Sequence, residues 1–435
     1  MKRNQFYSKL KNKIKNKQAK ILVIGLGYVG LKLLINLQKK FKTFGYDTDQ
    51  TKIKILNKKR SPFSHISNEL VKKSFDKNTI IKDLAEIKYF NIIILCLPTP
   101  LKKKNIPDLS DIKNCLKLIK EYLIEGQMLI LESTTYPGTT NEIIRPYLEK
   151  RKFTIGESFF LGYSPERENP GSKIEFSKIV KICSGATKNC LSLCKNFYKQ
   201  IAKVSTAQSI EHAEFTKLYE NTYRSVNIGL VNEMKMLTKK MKLDIYEIIR
   251  LAKTKSFGFE AFYPGPGIGG HCIPLDPYYL SWKAKKFGFN PKFISTSGKV
   301  NELTTEWVFK QTVKILKKNG KNIKNSKILI IGVAYKKNIN DYRESASIKI
   351  INKLLKKGAK IDYSDTYIEK IKINTNKNIF LKSKIVNKEN IKKYSCVIIL
   401  TDHDNFNYKN LLKANIIIDT RGKFKEIRHE NIYHL

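Results

Sequence analysis

The sequence predicts an α/β protein in which two doubly wound, Rossmann-like domains are joined by a long central helix. Three observations predict this fold class. Short apolar runs alternate with amphipathic stretches from residue 20 to about 205, as strands and helices do around a parallel sheet. Helical periodicity without strands follows from about 208 to 254, and a second alternating region begins at residue 327.

The length of 435 residues also favours several domains, because single cores stop growing at roughly 250 to 300 residues. We place a basic N-terminal extension at 1–19, a first α/β domain at 20–207, a central helical domain at 208–316 and a second α/β domain at 327–435. A helix as long as the predicted central one is a natural dimer surface. We therefore expect a homodimer or a larger homo-oligomer.

The first predicted strand leads into a glycine pattern. Gly25, Gly27 and Gly30 in I-L-V-I-G-L-G-Y-V-G have the G-x-G-x-x-G spacing of a dinucleotide-binding turn. The N-terminus of the following helix would face the phosphates. Asp47 ends the next apolar strand, near the position of the acid that binds the adenosine ribose, which favours NAD over NADP. A purely structural glycine turn is the alternative.

Two later strands end in polar turns, C-L-P-T-P at 96–100 and S-T-T-Y-P-G-T-T at 133–140. Ligands of parallel α/β sheets bind beyond the carboxyl ends of the strands. Both turns are therefore candidates to line the nicotinamide pocket. The alternative is that they are ordinary Pro-rich loops.

A Gly- and Pro-rich loop from Gly265 to Asp276 reads G-P-G-I-G-G-H-C-I-P-L-D. Glycines permit tight turns and close approach to a ligand, while prolines limit the conformations of the loop. The loop would hold Cys272 in one place, as a nucleophile requires. A structural turn with a buried, inert cysteine is the alternative.

The remaining candidate residues lie on the central helix and in the second α/β domain. Lys217 and Asn221 are four residues apart, so they project from one helix face. Gly332 is the only glycine in the first turn of the second domain, which favours a simpler nucleotide or sugar-nucleotide group there. The polar block at 336–345 has donors suited to phosphates, because Arg343 can make bidentate contacts.

Composition limits the partners and the compartment. The formal net charge is +45, but only ten of the 83 basic residues are Arg and the lysines are spread along the chain, so we expect no specific nucleic-acid partner. No run reaches the roughly 18 to 20 apolar residues that span a bilayer, and residues 1–20 do not resemble a secretory signal. Seven cysteines without a disulfide or zinc spacing fit a reducing compartment. We expect a soluble, cytoplasmic protein with no bound metal.

Motifs along nearly the whole chain resemble those of the UDP-glucose/GDP-mannose dehydrogenase family. They are G-L-G-Y-V-G at 25–30, P-T-P at 98–100, S-T-T-Y-P-G-T-T at 133–140, S-P-E-R-E-N-P-G at 164–171, E-F-T-K-L-Y-E-N-T at 214–222, the Cys272 loop, and G-V-A-Y-K-K-N-I-N-D-Y-R-E-S at 332–345. The resemblance implies NAD-dependent oxidation of the C6 alcohol of a nucleotide sugar to a carboxylate, with two NAD+ used per sugar. It also implies an NAD-binding first domain, a central domain with the catalytic loop, and a UDP-sugar-binding last domain.

The resemblance implies roles for individual residues. The Cys272 thiolate would form a thiohemiacetal and then a thioester that water hydrolyses. Lys217 and Asn221 would stabilise the developing oxyanion, and Glu166 would assist hydrolysis. Thr134 and Asp276 would organise a water. The implied cofactor contacts are Gly25, Gly27, Tyr28, Val29, Gly30, Asp47, Lys52, Pro98, Thr99 and Thr134, and the implied substrate contacts are Glu166, Lys217, Asn221, Gly269, Lys336 and Arg343.

Departures from the UDP-glucose branch of the family indicate a different sugar. Leu275 stands where that branch usually has Lys, residues 257–264 lack its Arg, and S-P-E-R-E-N-P-G replaces its S-P-E-F-L-R-E-G. These features resemble the branch acting on N-acetylated sugars, in particular UDP-N-acetylglucosamine 6-dehydrogenases of surface-polysaccharide pathways. UDP-glucose or UDP-N-acetylmannosamine oxidation is the alternative within the same chemistry. A two-electron hydroxyacid dehydrogenase and a basic nucleic-acid-binding protein are alternatives of other classes.

Overall fold

The structure is a computed structural model, and it describes residues 2–63, 66–76, 78–168, 175–270, 273–374, 378–427 and 429–435. For residues 2–4 it describes the backbone alone. The chain divides into two compact units, which are Met1–Glu220 with Tyr278–Asn290, and Asn221–Pro277 with Pro291–Leu435.

The first unit is built on a mostly parallel sheet. Its strands are β1 (Lys20–Ile24), β2 (Lys42–Tyr46), β3 (Ile92–Leu95), β4 (Leu101–Lys102), β5 (Ile106–Pro107), β6 (Met128–Leu131), β7 (Phe160–Tyr163), β8 (Lys181–Gly185) and β9 (Val204–Thr206). Seven of them form one sheet in the order β2-β1-β3-β6-β7-β8-β9, and β4 pairs with β5 separately. Strands β1, β3 and β6 are almost entirely buried apolar residues, as expected when helices cover both faces of a sheet.

One part of the sheet departs from the predicted parallel arrangement. Neighbours from β2 to β7 are parallel, but β7 and β8 pair antiparallel. The described part of the connection between these two strands carries a short 3-10 turn at Phe176–Lys178 and no crossover helix. Because parallel neighbours need a crossover connection, the predicted parallel sheet contains one antiparallel pair at this point.

The helices described in the first unit include an N-terminal one that the sequence analysis did not predict. They are α1 (Lys2–Lys15), α2 (Tyr28–Gln38), α3 (Gln50–Asn57), α4 (Asn68–Ser74), α5 (Ser110–Ile119), α6 (Arg145–Glu149) and α7 (Lys188–Tyr198). Leu10 and Ile14 of α1 are buried in the core of the unit, and the Tyr7 hydroxyl lies 2.9 Å from Ser192 Oγ of α7. The spacing of Phe6, Leu10 and Ile14, four residues apart, is the sequence signal for this helix.

The central region is helical, as predicted, but it is not one helix. It contains α8 (Ile210–Met241), α9 (Ile245–Ala252), α10 (Asp276–Lys285) and α11 (Lys292–Lys318). The predicted helix from 208 to 254 breaks after Met241, because Lys242 has φ of 60° and Asp244 caps α9 by accepting a hydrogen bond from Tyr246 N. Helix α8 begins in the first unit and ends in the second.

The second unit contains the second α/β domain. Its remaining elements are α12 (Ala346–Lys356) and the strands β10 (Lys327–Ile331), β11 (Lys360–Ser364), β12 (Lys370–Ile373), β13 (Ile379–Lys382), β14 (Cys396–Ile399), β15 (Ile417–Asp419) and β16 (Ile432–His434). Five strands form a parallel sheet in the order β11-β10-β14-β15-β16, and β12 and β13 form an antiparallel pair. The predicted α/β fold class is confirmed. In the described part of the chain, no helix is both long enough and apolar enough to cross a bilayer.

Because α1 packs in the core of the first unit, its buried side chains should contribute to the stability of the fold, although they lie outside the predicted catalytic motifs. Leu10 is 2% exposed, so Leu10→Ala should lower the free energy of unfolding by about 3 kcal/mol through lost burial and a cavity. Asn12→Ala, at an exposed position of the same helix, is the control and should change it by less than about 0.5 kcal/mol. Thermal and urea unfolding measure both variants. Equal stability of the two would mean that α1 does not pack as described.

Candidate active site

The glycine turn after β1 has the geometry that a dinucleotide requires. Gly25 has φ of 93°, and a Cβ on it would lie 2.4 Å from the Cys96 carbonyl oxygen. A Cβ on Gly30 would lie 1.9 Å from the Gly25 carbonyl oxygen, so helix α2 packs directly on the turn. A Cβ on Gly27 would meet no atom within 4 Å, which leaves an open approach to the start of α2. The three glycines thus serve the turn, the ligand approach and the helix packing.

Asp47 closes this turn from the end of β2. Its Oδ2 accepts hydrogen bonds from Leu26 N at 2.7 Å and from Lys52 Nζ at 2.6 Å, and its Oδ1 accepts one from Asp49 N at 2.9 Å. Gly27 is the N-cap of α2 and has no side chain that could cap the helix N-terminus. These residues fit a bound dinucleotide, with the pyrophosphate at the start of α2 and the ribose near Asp47.

The two polar turns lie together at the carboxyl edge of the sheet. Ser133 Oγ accepts a hydrogen bond from Leu97 N and donates one to Leu97 O, both at 2.8 Å. Thr99 Oγ1 donates to Thr134 O at 2.8 Å. The hydroxyl of Tyr279, a fully buried residue of α10, donates to Thr99 O. The two turns are therefore in contact beyond the strand ends, and their contact with nicotinamide remains a prediction.

Helix α8 is anchored to the second of these turns by Glu214, which the sequence analysis did not single out. The buried Glu214 carboxylate accepts hydrogen bonds from Gly138 N at 2.5 Å, Thr140 N at 3.0 Å and Thr140 Oγ1 at 2.7 Å. Burial raises the pKa of Glu214 to about 7, although these hydrogen bonds oppose the rise. The anchor fixes the first turns of α8, and so the backbone position of Lys217.

Glu166 lies in a buried polar network behind the sheet edge. Its Oε1 accepts hydrogen bonds from Arg167 N and Glu168 N, each at 2.7 Å, and its Oε2 lies 3.4 Å from Lys181 Nζ. Lys181 Nζ also lies 2.7 Å from Glu132 Oε2. Lys181 is 2% exposed and Glu132 is 1% exposed, so water does not screen this pair.

The charges of this network decide the ionisation of Glu166. Burial alone raises the pKa of Glu166, but Lys181, the two backbone N–H groups and Lys217 outweigh it and hold the pKa below its ordinary value. Burial lowers the pKa of Lys181, but Glu132 and Glu166 reverse the effect and keep it above its ordinary value. Glu166 is therefore an ionised buried carboxylate. Lys181 is the first residue of β8 and Glu132 directly follows the apolar strand β6. These charged residues at strand ends are the sequence signals that were missed.

In the second unit the structure brings Asn221 and Asp276 together. Asn221 Nδ2 donates to Asp276 Oδ2 at 2.5 Å, and both side chains are buried. Asp276 is the first residue of α10. His271 and the predicted nucleophile Cys272 lie outside the described residues, so the role of Cys272 remains a prediction.

The described part of the Cys272 loop packs closely on the polar block of the second α/β domain. A Cβ on Gly269 would lie 2.9 Å from both the Glu344 carbonyl oxygen and Tyr335 Cβ. Gly270 has φ of 92°, and a Cβ on it would lie 2.7 Å from the Tyr335 ring. Only glycine allows this approach of the two segments.

The two predicted phosphate contacts of the block differ in their surroundings. Burial, followed by repulsion from Arg224 and Lys337, lowers the pKa of Lys336, as expected where cations converge. Arg343 instead forks onto Asp341, with Nε to Oδ1 at 3.0 Å and Nη2 to Oδ2 at 2.8 Å. The Asp341 carboxylate therefore already accepts two hydrogen bonds from the Arg343 guanidinium group, which weakens the expected bidentate contact of Arg343 with phosphate.

A buried Asp–His pair supports the loop that carries Lys336. Asp365 Oδ2 accepts hydrogen bonds from Val333 N at 2.7 Å and from His403 Nε2 at 3.0 Å. His403 Nδ1 accepts one from Asn338 N at 2.9 Å. Asp365 directly follows β11 as Asp47 directly follows β2, so the second domain repeats the turn-closing carboxylate without the glycine pattern.

All three domains of one protein family match this chain. Residues 19–202 match the NAD binding domain of the UDP-glucose/GDP-mannose dehydrogenase family, residues 211–303 its central domain and residues 329–426 its UDP binding domain. The family and the cofactor predicted from the motifs are thereby confirmed.

Individual relatives extend the likeness over most of the chain. A UDP-N-acetyl-D-glucosamine 6-dehydrogenase of Salmonella typhi is 33% identical over 89% of this chain and 91% of its own. A UDP-N-acetyl-D-mannosamine dehydrogenase of Methanocaldococcus jannaschii is 30% identical over 93% of this chain and 92% of its own. The solved structure of a UDP-D-ManNAc dehydrogenase from Pyrococcus horikoshii matches with a TM-score of 0.85 and 28% identity, covering 95% of this chain and 98% of that one. The chain therefore belongs to the UDP-glucose/GDP-mannose dehydrogenase family and is an NAD-dependent nucleotide-sugar dehydrogenase.

Proposed function

We propose that this enzyme oxidises the C6 hydroxyl of UDP-N-acetylglucosamine to the carboxylate, in four electrons, as a step in making a surface-polysaccharide precursor. The observation that carries the four-electron chemistry is Glu166, a buried carboxylate held ionised by Lys181 and by two backbone donors. A dehydrogenase that stops at the aldehyde has no need of a base for hydrolysis. The choice of sugar rests on the sequence departures from the UDP-glucose branch and on the Salmonella relative.

The proposed chemistry needs a nucleophile because an aldehyde can give up the hydride of its C–H bond only after a nucleophile has added to the carbonyl carbon. Bound NAD+ supplies the hydride acceptor for both oxidations. The Cys272 thiolate adds through sulfur to the aldehyde carbon and forms a thiohemiacetal, and oxidation of its C–H bond leaves a thioester. The Lys217 ammonium and the Asn221 amide stabilise the oxyanion that develops on the sugar oxygen.

Hydrolysis completes the proposed reaction. Glu166 accepts a proton from the water that attacks the thioester carbon, and the carbon–sulfur bond breaks to release the carboxylate and the thiolate. Thr134 and Asp276 are proposed to orient this water, and Asp276 is itself held by Asn221. Gly269, Lys336 and Arg343 are proposed contacts of the UDP-sugar, with Lys336 better placed for the diphosphate because Asp341 already holds Arg343.

UDP-N-acetylmannosamine is the second candidate substrate. It is favoured by the similarity to the Pyrococcus structure and to the Methanocaldococcus relative, both of which are named as dehydrogenases of that sugar. The two candidates differ in configuration at C2, which bears the N-acetyl group. Direct comparison of the two nucleotide sugars decides between them.

We also propose that the enzyme is a homodimer that uses α8. Large apolar side chains on this helix are between 45% and 62% exposed in the single chain, and they are Phe215, Tyr219, Tyr223, Leu230, Leu237 and Met241. A run of exposed apolar residues of this kind is typical of an interface.

The six cysteines in the described chain are unpaired, which supports the expected cytoplasmic location.

The number of NADH molecules formed per sugar consumed tests the proposed four-electron chemistry. Wild type should form two NADH per UDP-N-acetylglucosamine consumed, and it should turn over UDP-N-acetylmannosamine and UDP-glucose more slowly. Cys272→Ser should lower kcat by at least about a hundredfold, while Cys115→Ser, a control on α5, should behave as wild type. One NADH per sugar, unaffected by Cys272→Ser, would show that the cysteine is structural.

Substitution of Lys181 tests how Glu166 is held ionised. Lys181→Met removes the positive charge that lowers the pKa of Glu166, so this pKa should rise. On acidification the variant should therefore lose activity at a higher pH than wild type does. The acid limb of the kcat profile should move up by about one pH unit or more. Lys178→Met, at a nearby exposed position, is the control.

The double variant Lys181→Met with Glu132→Gln removes both charges of the buried pair, and it replaces the single variant if that one does not fold. Its acid limb should also lie above that of wild type, because Glu166 still loses its cation. An unmoved acid limb in a folded variant would contradict the proposed role of Glu166.

A charged substitution on α8 tests the proposed homodimer. Leu237→Asp places a charge in the exposed apolar stripe of α8 and should convert the dimer to a monomer without unfolding the chain. Lys310→Asp, a 70% exposed side chain on α11, is the control and should remain dimeric. Size-exclusion chromatography with light scattering measures both masses. A wild-type monomer, or a Leu237→Asp dimer, would refute an interface on α8.

A further inference from the structure

Three lysines are buried in the part of the chain that the structure describes, and they differ in their counter-ions. Lys181 is paired with Glu132 and Glu166, and Lys283 is paired with Glu142. Lys235 is 1% exposed and no carboxylate of the described residues lies within ion-pair distance of its Nζ. Its Nζ donates one hydrogen bond, to Thr420 O at 3.0 Å. Its Nζ also lies 5.8 Å from the centroid of the Trp307 ring. A buried cation without a counter-ion is costly, because one hydrogen bond and one aromatic ring offset its desolvation only in part.

Lys235 lines a cavity of about 460 Å³ in the second unit, between the end of α8, the start of α9 and the segment after β15. Lys239, Lys242, Lys425 and His434 also line it. Two residues of the lining carry a carboxylate, Asp244 and the last residue, Leu435. The Asp244 carboxylate already caps α9 by accepting from Tyr246 N at 2.8 Å. Four lysines and one histidine therefore face two carboxylates in the lining, so positive charge is in excess.

The charged groups around Lys235 reinforce this imbalance. Burial, followed by repulsion from Arg421 and Lys239, lowers the pKa of Lys235 to about 7, and Asp419 opposes the fall. The Asp419 carboxylate is occupied by Arg421 N at 3.0 Å and Phe424 N at 2.8 Å. Burial also lowers the pKa of Lys239, whose Nζ donates to His434 O at 2.6 Å.

A second polar group in the lining lacks a partner. The hydroxyl of Tyr246 is buried and has no hydrogen-bond partner among the described residues. Buried hydroxyls in proteins are nearly always hydrogen-bonded, so an unsatisfied one next to a cavity indicates a missing acceptor. An anion in the cavity would satisfy the tyrosine hydroxyl and the lysines together.

We propose that this cavity is a second anion site, separate from the proposed UDP-sugar contacts, which binds the phosphoryl group of a small organic phosphate through Lys235, Lys239 and Lys242. A phosphate dianion offers several acceptor oxygens and is the usual partner of clustered lysines. The cavity volume of about 460 Å³ leaves room for an organic part beside the phosphoryl group. The apolar lining residues Leu243 and Ile245 suit the organic part.

Binding should take up a proton. At a pH above about 7 much of Lys235 is neutral, and a bound dianion restores its charge. Sulfate is a suitable probe of this effect, because it does not titrate near neutral pH. Calorimetry of sulfate binding in two buffers of different ionisation enthalpy should report proton uptake for wild type and a smaller uptake for Lys235→Met, in which Lys239 and His434 still face the anion.

The test uses the full chain with saturating UDP, so that the proposed substrate site is filled. Inorganic phosphate and glucose 6-phosphate should each raise the melting temperature above the value in sodium chloride of equal ionic strength, and glucose 6-phosphate should bind more tightly. Lys239→Met and Lys242→Met should each weaken binding by about tenfold. Lys299→Met, at an exposed position of α11, is the control and should bind as wild type.

Lys235→Met separates anion binding from a structural role. If the cavity binds an anion, this variant should match or exceed the wild-type melting temperature without phosphate, and it should lose the gain with phosphate. A variant that is destabilised equally with and without phosphate would show that Lys235 serves only its hydrogen bond to Thr420. Equal effects of phosphate and chloride on wild type, or unchanged binding in Lys239→Met and Lys242→Met, would also overturn the proposal.

Discussion

Parallel strands end at one edge of a sheet, and this constraint decides where the polar residues of the first unit lie. The turns after β1, β3 and β6 are distant in sequence, yet they meet because their strands are neighbours. Gly25 packs on the Cys96 carbonyl, and the Ser133 hydroxyl makes two hydrogen bonds with the backbone of Leu97. The NAD-binding loop and the proposed nicotinamide turns therefore form a single edge whose geometry the sheet fixes.

Charge burial is the second constraint, and the chain meets it in different ways. Two carboxylates and the ring of Tyr198 surround the Lys181 ammonium group. Glu166 therefore stays ionised in a site that water does not screen. Around Lys235 the neighbouring side chains add positive charge instead. The same desolvation penalty thus favours a carboxylate partner in one place and an external anion in the other.

Local patterns predicted the parts of the fold that local backbone geometry controls. The G-x-G-x-x-G spacing, the apolar strands and Asp47 were found because each depends on a few adjacent residues. The antiparallel β8 and the break after Met241 were not predicted. Strand direction depends on the path of the connecting chain, and the break depends on the backbone of Lys242 and the cap at Asp244.

The sequence alone determined the family, the NAD cofactor and the chemistry that its motifs imply, because these depend on residue type and spacing. Only the tertiary structure decided which charges meet. Glu132 and Lys181 are 49 residues apart, and Glu214 reaches Gly138 across 76 residues. Pairing at such separations follows from how elements pack, and the pKa of each buried group follows from that pairing.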